Sequence, residues 1–169
     1  MEMISTILHT LHLLALVFWI GGVGYILFVL MPSLPVVSLR DRARLVPRLL
    51  SRFLTIVWLS VAISASSGLY RAVAVMGITS LNHLTGTYYG NVLLVKLVLV
   101  AVLIAIASSV TLRVYPRTVS HLKTHLDDQP TEYRCAKCSE VTGFIKVHLI
   151  AAVSLSVVIV FSAALLRGA

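Results

Sequence analysis

His9, His12, Arg71 and Lys96 are basic side chains that fall inside long apolar stretches of this 169-residue chain. An ionisable group in such a setting is costly and marks a functional site by default. Glu2 is the only acid near any of them in sequence. Cations without a counter-charge point to an anionic ligand or cofactor supplied from outside the chain. The plainer reading is that Arg71 and Lys96 snorkel to an interface and that His9 is interfacial. His12, deeper and two turns from Trp19, resists that reading. A second constellation is His121-x3-His125 followed by Cys135-x2-Cys138. Two histidines four residues apart share a helical face, and a Cys-x2-Cys pair is a common clip for zinc. The nine intervening residues are long enough to close such a site. Its plainer reading is two reduced thiols and two interfacial histidines. Cys138 is followed by Ser139, so covalent heme attachment is excluded by motif.

The elements that must position these residues are set by hydropathy. Hydrophobic residues make up 59% of the chain and charged residues 12%, and the mean hydropathy is +0.98, outside the range of a soluble domain. Four apolar stretches, about 4–31, 50–76, 91–115 and 142–166, each exceed the roughly 20 residues that a helix needs to cross a bilayer. The expectation is an all-α integral membrane four-helix bundle forming one domain, with connections at 32–49 and 116–141. Pro32 and Pro35 follow the first span and Pro116 closes the third. The 116–145 region is the longest polar piece and is expected to be partly helical.

Charge sets the orientation. Arg40, Arg42, Arg44, Arg48 and Arg52 flank the first connection, and Arg113, Arg117, Lys123, Arg134, Lys137 and Lys146 flank the third. The second, Gly77 to Gly90, has no lysine or arginine. The positive-inside rule therefore places both termini outside (N-out and C-out) in a multi-pass protein of a bacterial-type inner membrane. Cysteines that are then both cytoplasmic argue against a structural disulfide. The net charge of +8 is met by anionic lipid headgroups of the bilayer and calls for no nucleic acid. No acid lies inside a span, which disfavours transport driven by proton-carrying carboxylates, and no nucleotide loop or hydrolase triad is present.

At 1.5 Å per residue, His9 and His12 lie about 8 and 12 Å along the first helix, with Lys96 and Arg71 at about 8 Å from the same face. Ser60, Ser64, Ser67 and Arg71 fall at steps of four, three and four, one stripe of the second helix that is expected to face the bundle. His12, Leu16, Trp19 and Val23 share a face of the first helix beside Gly22. Glycine there lets a flat ligand or a neighbouring helix approach closely.

The run from His12 through Trp19 to Gly21-Gly22, then Pro32, Arg52-Phe53, Ser67-Gly68, Tyr89-Gly90 and Lys96, resembles the copper-resistance D (CopD) family. The His-to-Trp spacing and the lysine are also similar to the HemJ group of heme-containing four-helix proteins. That group's Phe-Tyr-Leu-Pro-Arg stretch is replaced here by Gly24-Tyr25-Ile26-Leu27-Phe28, so protoporphyrinogen oxidation is not implied. The resemblance implies a redox or metal role: copper movement in the first family, heme b in the second.

Heme b needs an axial imidazole, a slot bounded by small residues and cations for two propionates. His12, the glycines and serines, and Arg71 with Lys96 answer all three, so heme b with electron transport near the outer face is the favoured expectation. His9, His83 or neutral Lys96 are candidate second ligands, and His148 is either an inner heme ligand or interfacial. Copper(I) is the alternative, with His9, His12, Met1, Met3 and Met76 as donors, although nearby cations oppose it. A structural subunit of a larger membrane complex is a third reading. Quinone or another redox partner, other membrane subunits and a homo-oligomer are the partners these readings imply; whether the protein is an enzyme is left open.

Overall fold

The structure, a computed structural model, describes residues 2–75, 77, 85–86, 88–126 and 135–165. Among the described residues there is no strand. Helix α1 (Glu2–Tyr25) carries on through a π turn at Ile26–Leu30 and a short helical piece at Met31–Ser33. Helix α2 (Leu39–Tyr70) ends in a π turn at Arg71–Val75. Helix α3 (Tyr88–Ser109) continues through a π turn at Val110–Val114 into α4 (Tyr115–Lys123), and α5 spans Ala136–Leu165. Four stretches are long and apolar enough to cross a membrane: Met3–Val36, Leu39–Ala74, Gly90–Lys123 and Thr142–Phe161. The chain is thus an all-α integral membrane bundle of four spans, as its hydropathy predicts.

Each helix buries one narrow stripe. Ala15, Trp19 and Val23 are buried on α1, and Leu50, Leu54, Val57, Ser60 and Ser67 on α2. Leu103 and Ala107 on α3 lead into Val110 and Val114, and Leu149, Ala152 and Ser156 are buried on α5. Steps of three and four keep each set on one face. The serine stripe of α2 does face the bundle. Phe18, Phe28, Leu112 and Phe161 point outward and are well exposed, an apolar surface suited to a lipid bilayer. Helix α1 packs on α2, α2 on α4, α3 on α5 and α5 back on α1, which closes the ring.

The helices overrun the boundaries expected from sequence. Pro116 does not end the third span; the helix passes through it to Lys123. A proline lacks an N–H and its ring crowds the carbonyl four residues back. Here the preceding turn is widened: the Tyr115 N–H bonds to the Val110 carbonyl, five residues back, and Pro116 sits at the start of α4. The same device precedes Pro32, where the Met31 N–H bonds to the Ile26 carbonyl. A π turn absorbs the mismatch that would otherwise break the helix.

The arginine-rich connection after the first span is also mostly helix. Ser38 adopts extended backbone, its Oγ accepts the Asp41 N–H at 3.2 Å, and its hydroxyl donates to Asp41 Oδ2 at 2.7 Å. That N-cap starts α2 at Leu39. Arg42 donates from Nε to the Val37 carbonyl (2.7 Å) and from Nη2 to the Pro35 carbonyl (3.0 Å), fixing the turn before it. Leu39 is fully buried and Ala43 nearly so, so this overhang packs rather than dangles.

Candidate functional sites at the two ends of the bundle

The first site is built on the α1–α2 contact. His12 is half-buried, and its Nδ1 lies 2.9 Å from Ser67 Oγ. The Ser67 hydroxyl donates to the Ile63 carbonyl at 2.6 Å. A hydroxyl has one proton, so Ser67 Oγ accepts from His12 Nδ1–H, and the neutral ring keeps its lone pair on Nε2. A side chain that orients one ring nitrogen and leaves the other free is the usual support for a metal-ligating histidine.

The basic residues singled out from sequence gather around this ring. His9 lies one turn before His12 on α1, Arg71 follows the end of α2 and Lys96 lies on α3, and all three are half-buried. Trp19, two turns along the same face, is buried with its Nε1 lacking a hydrogen-bond partner, an orphan donor inside the core.

Two of the glycines lie at the contact between α1 and α2. A Cβ on Gly22 would lie 3.1 Å from Phe53 Cε2, so Phe53 of α2 fills that space. A Cβ on Gly68 would lie 3.7 Å from His12 Cε1. The small residues bring two helices together, as they do in lipid generally. Beside Gly22 the space is taken by Phe53, while a Cβ on Gly21 or Gly24 would meet nothing within 4 Å. His83, Met1 and Met76, the other donors considered from sequence, lie outside the described residues. His148 donates from Nδ1 to the Phe144 carbonyl one turn back (3.0 Å), and its ring meets the Phe144 ring tilted by 52°.

The second site lies at the opposite end. Passage of the helix through Pro116 carries His121 to the last turn of α4 and His125 just beyond it. Cys135 precedes α5 and Cys138 sits in its first turn. Four ligand atoms, one from each of these residues, lie within 4.8 Å of one another. His121 Nε2 is 3.4 Å from both Cys135 Sγ and Cys138 Sγ, and His125 Nε2 is 3.9 Å from Cys138 Sγ. The imidazoles meet edge to face at 5.1 Å, and the Cys138 N–H donates to Cys135 Sγ at 3.2 Å. Burial raises the Cys135 thiol, but hydrogen bonds from Cys138, His121 and His125 outweigh it and bring the group down to about 6. The thiolate is the form that ligates metal.

Sequence reasoning missed Ser67 as the partner of His12, Phe53 as the filler of the glycine face, and a polar link between α2 and α3. In that link Trp58 Nε1 donates to Thr111 Oγ1 at 3.2 Å, beside a lipid-side groove of about 510 Å³. The inward serine stripe was the signal that could have found Ser67.

This membrane four-helix bundle carries two histidine-centred groups, one of which, with paired cysteines, could hold a metal ion. The Copper resistance protein D (CopD) family matches this chain over residues 47–166, well over half its length, and the chain belongs to that family. The match takes in Arg71, Lys96 and the His/Cys group but begins within α2, so His9 and His12 rest on their own geometry. No curated protein and no solved structure matches the chain.

Proposed function

We propose that this protein passes copper through the membrane and that His12 is its ligand there, assisted by His9 one turn away. The observation that carries the reading is the His12–Ser67 hydrogen bond, which leaves Nε2 bare inside a span. Imidazole suits copper, and membership of the copper-resistance family supports the choice of metal. Arg71 and Lys96 then limit how tightly the ion is held. Like charges in a medium of low effective dielectric oppose a bound cation. Weak holding suits passage rather than storage, because an ion in transit must leave as readily as it enters. The charge bias of the connections favours a bacterial-type plasma membrane with the His12 end outside.

A second reading makes His12 an axial ligand of heme b, with Arg71 and Lys96 on the propionates and quinone as electron partner. Two cations acting on one imidazole favour it. Phe53 against Gly22 weighs against it. One pair of measurements separates the two: copper content and the absorption spectrum of the purified protein, wild type and His12→Ala. The copper reading expects bound copper that is lost in the variant and no Soret band. A Soret band that disappears with His12→Ala establishes heme instead, and neither signal responding to His12→Ala removes His12 from the function.

A further inference from the structure

From the geometry of His121, His125, Cys135 and Cys138 we infer a second metal site, separate from His12, that binds one zinc ion and clasps α4 to α5. The donors come from two elements that hydropathy alone would not join: the extension of the third span beyond Pro116, and the first turn of the fourth helix. Their four ligand atoms converge within 4.8 Å. Zinc bonds of about 2.3 Å to sulfur and 2.0–2.1 Å to nitrogen give tetrahedral nitrogen–sulfur edges of about 3.6 Å. The three separations of 3.4, 3.4 and 3.9 Å bracket that edge. Two thiolates balance a divalent charge, and two thiolates with two imidazoles in a tetrahedron are the donor set of a closed structural zinc site.

The clasp has a mechanical consequence. Helix α4 already packs on α2, burying Thr118 and Leu122. Metal between α4 and α5 fastens the remaining side, so that the cation-rich end of the bundle is tied where lipid gives no drive for helices to associate. That is the end the charge bias assigns to the cytoplasm, where thiols stay reduced and open to metal.

The test uses the full chain in detergent under reducing conditions. Wild type purified with zinc, then dialysed, should retain about one zinc per chain. The Cys135→Ser/Cys138→Ser double variant and His121→Ala should retain less than about a fifth of that. His12→Ala should retain all of it, which separates this site from the copper reading. Cobalt(II) offered to metal-stripped wild type should give the intense visible bands of a tetrahedral ion with thiolate charge transfer. That readout needs no variant to fold. A weak octahedral cobalt spectrum, zinc retained by the double cysteine variant, or no zinc in a wild type of full helical content overturns the site. Protein isolated from cells with about one copper and no zinc in this site overturns the choice of metal.

Discussion

A single hydroxyl, Ser67, decides which nitrogen of His12 is free. Removing it with Ser67→Ala leaves the ring without its orienting acceptor. Copper affinity should fall on the order of 10- to 100-fold, measured by competition with a chelator of known affinity, while helical content stays unchanged. The charges around the ring give a test with opposite signs for the two functional readings. Arg71→Leu removes a cation that repels copper, so copper binding should tighten by about tenfold or more. If heme is the ligand, the same change removes a propionate partner, lowers heme retention and shifts the potential downward. Titration of the one variant with copper, and a redox titration of any heme present, reads both outcomes.

Among the helices, the α1–α2 contact depends on the lack of a side chain at Gly22, where Phe53 already fills the space. Gly22→Leu should destabilise the bundle by about 1–3 kcal/mol through overpacking. Gly21 is the control, because a Cβ added there would meet nothing within 4 Å, and Gly21→Leu should leave the melting temperature in detergent nearly unchanged. The start of α2 is a separate matter, held by the Ser38 cap on Asp41. Ser38→Ala should cost about 1 kcal/mol and loosen the arginine-bearing overhang, visible as faster amide exchange over Leu39–Ala43. Equal exchange in both proteins would mean that packing of Leu39, not the cap, sets this end.

For the molecule as a whole, the eleven cations at the first and third connections against none at the second set the expected orientation. A cysteine placed at Gly86, which is exposed, should react with a membrane-impermeant thiol reagent from outside in intact cells. Cys135 and Cys138 should react only after the membrane is opened. The reverse pattern would put the His12 end inside and turn the direction of copper passage around.

Hydropathy, a property of single residues summed along the chain, determined the four spans and the all-helical bundle. Helical periodicity determined that the serine stripe of α2 faces inward. The sequence also spelled out the four donors of the His/Cys group, since their types and spacing are local. Only the tertiary structure decided that Phe53 closes the glycine face, that Ser67 holds His12, and that α4 runs past Pro116 far enough to bring His121 and His125 to Cys135 and Cys138. The reason is physical. Lipid is as apolar as the side chains, so burial pattern leaves open which helix meets which. The choice falls instead to close packing and hydrogen bonds between residues far apart in the chain, and a proline's effect depends on whether the turn before it can widen.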